Sequence, residues 1–185
     1  MSLEFAILGF LSYKSLSGYD LKKAFDTSVQ HFWPADQSQI YRTLGRLVEQ
    51  GWAEVEVVPQ DTRPNRKLYH ITPAGRKELR RWLQTPLPHE EARSTALVQV
   101  FFAGQLPDEE VLPIFQRAAA ELRAQLACYA QVPDQAAPYF ALAHSEREVF
   151  FWLLTLECGV AMARGQLEWI ESVIRRLNDG QVPED

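Results

Sequence analysis

Residues 36–76 read DQSQIYRTLGRLVEQGWAEVEVVPQDTRPNRKLYHITPAGR. Helical periodicity runs to Gly51, and two short stretches with strand character follow it, separated by a polar segment. A second helical pattern begins where the second strand pattern ends. This order of helix, β-hairpin and helix is that of a winged helix, so the stretch decides the fold of the first half of the chain.

The first helix of this stretch has clear signals at both ends. Asp36 and Gln39 have the spacing of a capping box, which predicts a helix that begins near Gln37. Gly51 stands where a left-handed residue commonly ends a helix. The apolar residues recur at helical spacing and predict one buried face, made of Ile40, Leu44, Leu47 and Val48.

The opposite face of this helix differs from an ordinary solvated face, which mixes lysine with glutamate. It presents hydroxyl, amide and guanidinium groups, from Ser38, Gln39, Arg42 and Arg46, with Tyr41 on its flank. Arginine can bind guanine in the major groove through two hydrogen bonds, and glutamine can bind adenine in the same way. The face is therefore a candidate DNA-reading surface. For the helix taken alone, an ordinary exposed face is the alternative.

The predicted hairpin carries its positive charge at the tip. Ala53–Val58 alternates apolar and acidic residues, which predicts a half-buried strand, and residues 67–72 predict a second strand with Leu68 and Ile71 on opposite sides. The cations at the tip are Arg63, Arg66 and Lys67, with only Asp61 against them. Such a tip suits contact with DNA phosphates or the minor groove. A solvated turn is the alternative.

Three further helices complete the predicted winged helix. N-cap signals at Ser17 and at Thr72, the latter followed by Pro73 at the first helical position, predict where two of them begin. The apolar residues expected to enter the core from these helices are Leu3, Ile7, Leu8, Leu11, Tyr19, Leu21, Phe25, Leu79, Trp82 and Leu83.

Residues 3–83 resemble the winged helix-turn-helix domain of the PadR family of transcriptional regulators. The matching motifs are SGYDLKKAF (17–25), QSQIYRTLGRLVEQGW (37–52) and RPNRKLYHITPAGRKEL (63–79). The resemblance implies that DNA is contacted from the helix by Ser38, Gln39, Tyr41 and Arg42, and from the wing by Arg63, Asn65, Arg66 and Lys67. The chain departs from many members at Arg42, where they have proline, and in a wing without glycines.

The charge of the chain is unevenly divided. The net charge of the 185 residues is −5, yet residues 1–85 carry +3 and residues 86–185 carry −8. A cationic first half and an anionic second half predict two modules with different partners. We expect a winged helix-turn-helix domain at 1–85, a proline-containing linker at 86–94 and an all-α domain at 95–180. The predicted fold class is mainly α with a small β-hairpin wing.

The second module contains a long helix with a heptad pattern. Apolar residues alternate in steps of three and four from Val149 to Leu177. The predicted dimer-interface residues are Val149, Leu153, Leu156, Val160, Leu167, Ile170, Ile174 and Leu177. A helix at 108–131 could cover this seam within one chain. Dimerisation is favoured because winged helices usually read two half-sites and a two-fold dimer sets their spacing. The resemblance also implies a dimerising C-terminal domain.

Aromatic residues of the second module form a candidate ligand pocket. Phe151, Trp152 and the pair Tyr139 and Phe140 could line a cavity for a small aromatic effector. Plain core packing is the alternative.

No catalytic set emerges from the sequence. The histidines are scattered, at His31, His70, His89 and His144, and no phosphate-binding or nucleophile motif occurs. Cys128 and Cys158 lack metal-ligand spacing and are expected to be buried or half-buried thiols without a disulfide. We therefore expect neither an enzyme nor a cofactor.

The start of the chain has no signal-peptide pattern and no apolar run reaches membrane-spanning length, so we expect a cytoplasmic protein without a membrane partner. The resulting hypothesis is a homodimeric, sequence-specific transcriptional repressor that binds a palindromic operator in double-stranded DNA. The hypothesis includes release of the repressor from DNA by a small-molecule effector. The alternative is a winged-helix module whose basic face binds an acidic protein and which does not bind a specific DNA sequence.

Overall fold

The structure, a computed structural model, describes residues 2–29, 32–59, 65–88, 94–140 and 143–181. Its elements in chain order are α1 (Ser2–Tyr13), α2 (Gly18–Ser28), α3 (Gln37–Glu49), β1 (Ala53–Val58), β2 (Arg66–Ile71), α4 (Pro73–Leu83), α5 (Thr95–Phe101), a 3₁₀ turn (Ala103–Gln105), α6 (Asp108–Phe140) and α7 (Glu146–Asn178). The predicted fold class, mainly α with a β-hairpin wing, is confirmed. None of the described helices is both long enough and apolar enough to cross a membrane.

The chain forms two compact units. Residues 1–87 with 136–146 make the first unit, and residues 88–135 with 147–185 make the second. The predicted boundaries therefore differ in one respect, because the junction between α6 and α7 belongs to the first unit. There the His144 ring stacks on Tyr13, with ring centroids 5.2 Å apart. Residues 89–93 of the predicted linker lie outside the described part of the chain.

Side-chain caps set the helix starts of the first unit at the predicted residues. Ser17, Asp36 and Thr72 each accept a hydrogen bond from the backbone N–H three positions on, in α2, α3 and α4 respectively. Gly51 follows α3 with φ of 71°, a conformation that glycine adopts at little cost. The cap at Asp36 and the left-handed Gly51 thus set the two ends of α3.

The core of the first unit lies beneath α3. Its fully buried side chains include Ile7, Leu8, Leu11, Leu21, Phe25, Ile40, Leu44 and Leu47. Phe5 stacks on Trp82 with ring centroids 4.7 Å apart. Two predicted core residues are not in the core: Tyr19 is 68% exposed and Leu83 is 66% exposed. Helical spacing alone does not predict this exposure, because it does not show which faces another element covers.

The hairpin is antiparallel and runs from Ala53 opposite Ile71 to Val58 opposite Arg66. Leu16 adds an isolated bridge to Tyr69 on the other side of β2. The prediction of a half-buried β1 is wrong for its middle, since Val55 and Val57 are exposed, whereas Ala53 is buried and Val58 is half-buried. A two-stranded sheet has little to cover it once it leaves the core, so alternation in β1 does not lead to burial.

In the second unit, α6 packs on α7. Val111, Phe115 and Ala119 of α6 surround Ile170 of α7. An ion pair of 2.7 Å between Arg123 and Glu171 joins the same helices. The two cysteines, Cys128 and Cys158, are free thiols, and both are exposed, whereas buried or half-buried thiols were predicted.

Candidate nucleic-acid interface

The start of α3 presents two of the predicted DNA-binding residues in a defined geometry. The Asp36 carboxylate accepts hydrogen bonds of 2.7 Å from the Ser38 hydroxyl and from the Gln39 backbone N–H. Gln39 Oε1 in turn accepts from the Asp36 backbone N–H at 3.1 Å. The hydrogen bonds from Ser38 and then from Gln39 lower the pKa of Asp36. Gln39 therefore offers mainly its Nε2 donors to a ligand, because its oxygen already serves the cap.

The larger polar side chains in the middle of α3 differ in how firmly their contacts hold them. Tyr41 and Arg42 are exposed, and Arg42 Nε donates only a long hydrogen bond, 3.5 Å, to the Ser38 carbonyl. Arg46 is held more firmly: its guanidinium lies 3.4 Å from the buried Glu4 carboxylate and donates to Thr43 Oγ1 at 3.2 Å. Arg42 is thus the arginine of α3 that is better placed to reach a base edge.

The root of the wing carries three of the predicted DNA-binding residues. Asn65, Arg66 and Lys67 are exposed at the start of β2, and Arg66 Nη2 lies 2.5 Å from Asp20 Oδ2 of α2. Arg63, predicted to act from the tip, lies outside the described residues. The wing is therefore tied to α2 through one of its own candidate phosphate-binding residues.

The His70 ring contacts two neighbouring segments of the first unit. Its Nδ1 lies 2.6 Å from Ser15 Oγ, and its Nε2 lies 3.0 Å from Glu56 Oε2. The ring joins β2 to β1 and to the segment between α1 and α2. His31 and His89 are outside the described residues.

Sequence reasoning missed Gly18 and Asp20. Both belong to the motif SGYD, whose Ser17 was read only as a helix cap. In the structure Gly18 lies against the Tyr41 ring, and Asp20 pairs with Arg66. The signal that could have found them is the acidic residue at the third helical position, which can serve both its own cap and a distant cation.

The predicted dimer seam on α7 is divided into two halves. Ile170 is buried, and Leu167, Ile174 and Leu177 pack around the same cluster with α6 of the same chain. In this half, the apolar seam of α7 is covered by α6 of the same chain, as in the alternative without a dimer. In the other half, Val149, Leu156 and Val160 are half-buried and Leu153 is 38% exposed.

An open groove of about 530 Å³ runs along this second half. Its lining comes from α6 and α7 and comprises Leu126, Tyr129, Ala130, Pro133, Leu153, Leu156, Glu157, Val160 and Arg164. The predicted pocket residues Phe151 and Trp152 are not among them. The Phe151 ring is half exposed and lies 5.0 Å from the Arg147 guanidinium carbon. The side chain of Tyr139, from the same prediction, is outside the described part of the structure.

Comparison with known families covers both units. Residues 7–81 match the Transcriptional regulator PadR-like family, and residues 92–178 match the family described as Virulence activator alpha C-term. The chain belongs to the PadR-like transcriptional regulators. This confirms the family inferred from the three motifs.

A PadR-like relative matches almost the whole chain. The Negative transcriptional regulator PadR of Bacillus subtilis is 29% identical over 182 residues, which cover 95% of this chain and 97% of PadR. The crystal structure of that PadR in complex with operator DNA has a TM-score of 0.81 at 27% identity and covers 96% of this chain and 99% of its own. Its structure in complex with p-coumaric acid has a TM-score of 0.78 at 26% identity, with the same coverage.

A second relative is more similar in sequence but over a shorter length. The Probable transcriptional regulator Rv1176c of Mycobacterium tuberculosis is 43% identical over 98 residues. The alignment spans 52% of each chain, so this chain covers about half of that relative. Both relatives are named as transcriptional regulators, and neither name describes an enzyme.

Proposed function

We propose that this chain is a homodimeric transcriptional repressor that binds a specific operator in double-stranded DNA. The observation that carries the proposal is that α3 and the root of the wing, which hold the predicted DNA-binding residues, both attach to the first turn of α2. Tyr41 of α3 rests on Gly18, and Arg66 of the wing pairs with Asp20. The near full-length similarity to a PadR bound to operator DNA supports the same assignment.

The chemistry of this surface divides into base reading and phosphate binding. Arg42 is exposed at the centre of α3, where a guanidinium can reach a guanine in the major groove. Asn65, Arg66 and Lys67 stand at the wing, where hydrogen bonds and positive charge favour phosphate oxygens. The +3 charge of residues 1–85 favours a polyanion, although the whole chain is acidic.

The proposed dimer forms along the groove half of α7. The other half already packs on α6 of the same chain, whereas Leu153, Leu156 and Val160 line an open apolar groove. A two-fold dimer would present two winged helices to a palindromic operator.

A small aromatic effector is proposed to control the affinity for DNA. The PadR of Bacillus subtilis has been crystallised with p-coumaric acid, which supports this part of the proposal. An effector that prefers one spacing of the two winged helices would shift the dimer towards it and so change the operator affinity. We place this regulator in the cytoplasm, in line with its similarity to a transcriptional regulator.

Selection of DNA from a randomised pool of duplexes tests the proposal. We expect the pure protein to enrich a sequence with two-fold symmetry and to bind it about a thousandfold more tightly than a scrambled duplex. Binding should weaken steeply with added KCl because phosphate contacts release counterions. No enriched sequence and equal binding to both duplexes would instead favour the winged-helix module that binds an acidic protein.

Replacing Arg42 with alanine is expected to reduce sequence discrimination. Loss of a paired contact to guanine should cost about 1–3 kcal/mol on the selected duplex and much less on the scrambled one. Lys67→Ala, which removes a wing cation outside the Asp20–Arg66 pair, should instead weaken both duplexes and lower the salt slope by about one. Fluorescence anisotropy at several KCl concentrations measures both quantities. Arg81→Ala, which removes an α4 arginine paired with Glu78, is the control for charge. An equal loss on both duplexes in Arg42→Ala would contradict the base-reading role.

A further inference from the structure

We propose that the first turn of α2, residues 17–20, sets the relation between α3 and the wing and so determines how well the protein discriminates its operator. Gly18 lies against the Tyr41 ring, and Asp20 forms an ion pair with Arg66. Both are positioning residues that act through these two side chains. The inference rests on the proposed DNA-binding function and goes beyond it by assigning the residues that align its two halves.

The contact between α2 and α3 depends on the absence of a side chain at Gly18. A β-carbon at this position would lie 2.4 Å from Tyr41 Cε1 and 2.6 Å from Tyr41 Cζ, well inside van der Waals contact. The backbone of Gly18 does not have a positive φ, so its conformation is open to other residues. A larger residue here would therefore have to displace the end of the Tyr41 side chain, which lies directly on the start of α2.

The contact between α2 and the wing depends on the Asp20 carboxylate. Asp20 Oδ2 accepts hydrogen bonds from Arg66 Nη2 at 2.5 Å, from Ser17 Oγ at 2.6 Å and from the Ser17 backbone N–H at 3.3 Å. Partial burial raises the pKa of Asp20, but the hydrogen bonds from Ser17 and Arg66 outweigh burial and leave the pKa below its ordinary value. The carboxylate is thus charged, fixed to its own helix, and able to hold Arg66 in one place.

Backbone pairing next to this turn restrains the wing further. Leu16 N–H donates to the Tyr69 carbonyl at 3.2 Å, and Tyr69 N–H donates to the Leu16 carbonyl at 2.9 Å. Burial, and to a smaller extent the neighbouring Tyr41, raises the pKa of Tyr69. A binding surface is precise only when its side chains are held by such supporting contacts.

Two opposite effects of Asp20 on DNA binding can be separated. A carboxylate beside the DNA surface repels phosphates, so its removal should strengthen binding to any duplex. If Asp20 also aligns the wing, its removal should weaken the preference for the selected sequence. The ratio of the two dissociation constants, for scrambled and selected duplex, reports the second effect and is insensitive to a uniform change in charge or in folded fraction.

The first test compares Asp20→Asn with Asp26→Asn. Both substitutions remove one negative charge from α2, but Asp26 pairs with Lys22 on the same helix and does not hold the wing. With the duplex selected by the wild-type protein and its scrambled counterpart, we expect the ratio to fall about tenfold in Asp20→Asn, near the loss of one paired base contact. Asp26→Asn should keep the wild-type ratio. The same ratio in both variants would overturn the role of Asp20.

The second test compares Gly18→Ala with Gly9→Ala. A β-carbon at Gly9 of α1 has no atom within 4 Å, so this variant controls for the substitution itself. We expect Gly18→Ala to lower the ratio by about tenfold when Tyr41 is present. In a Tyr41→Ala background the same substitution should have no further effect, because the ring it displaces is gone. An equal effect in both backgrounds would show that Gly18 does not act through Tyr41.

The DNA-binding proposal and the positioning role of residues 17–20 would be contradicted by different results. A wild-type protein that prefers no duplex would reject the DNA-binding proposal, and this inference with it. A wild-type protein that discriminates strongly, together with Asp20→Asn and Gly18→Ala variants that discriminate equally well, would reject the positioning role alone.

Discussion

Replacing Leu153 with glutamate is expected to leave the protein folded but monomeric, and to reduce its affinity for the selected duplex by about a thousandfold, to the level of non-specific binding. Leu153 is 38% exposed in the single chain, so a glutamate can be solvated there without disturbing the packing of α6 on α7. In the proposed dimer the same carboxylate would lie in an apolar interface, where an unpaired charge is strongly unfavourable. Sedimentation velocity and anisotropy with the selected duplex measure the two outcomes.

Two control variants on α7 make this result specific. Gln166→Glu adds the same charge at an exposed position outside the groove and should remain dimeric. Leu167→Glu should lower the thermal stability of the second unit, because Leu167 packs on the buried cluster around Ile170. A Leu153→Glu variant that sediments as the wild-type dimer would place the interface elsewhere on the molecule.

Replacing Leu44 with alanine is expected to lower the free energy of unfolding by about 2–5 kcal/mol. Leu44 has no exposed surface and projects from α3 into the core of the first unit. The substitution removes buried apolar area and leaves a cavity that helices joined to the same core can close only in part. Chemical denaturation followed by tryptophan fluorescence measures the loss, since Trp52 and Trp82 pack against this core.

The matched control for this cavity is Leu83→Ala. It makes the same chemical change on α4, in the same unit, at a side chain that is 66% exposed. Its expected cost is below about 0.5 kcal/mol, as for other surface substitutions. Similar losses in the two variants would mean that Leu44 does not support the core as its burial indicates.

The helix boundaries next to the candidate interface could be predicted because their signals are local. Asp36 and Gln39 cap α3 through atoms three residues apart, and Thr72 caps α4 in the same way. The buried face of α3 follows from apolar residues at helical spacing, and the left-handed Gly51 follows from its place after them. Each of these features depends on a few neighbouring residues, so the chain need not be folded for it to be recognised.

The extent of burial could not be predicted at the margins of the elements. Tyr19 and Leu83 continue an apolar pattern yet are exposed, and Val55 and Val57 alternate as strand residues yet have no covering layer. Periodicity identifies which side chains share a face. It does not say whether another element reaches that face, because this depends on packing between distant parts of the chain.

By itself, the sequence determined the winged-helix order of elements, the cation-bearing face of α3 and wing, and the PadR family. All of these are expressed in residues close together along the chain. Only the tertiary structure decided that Asp20 holds Arg66 from 46 residues away, that Gly18 makes room for Tyr41, and that half of the α7 seam is already covered by α6. These contacts join separate elements, and their existence depends on distances and orientations that arise only when the helices pack around a common core.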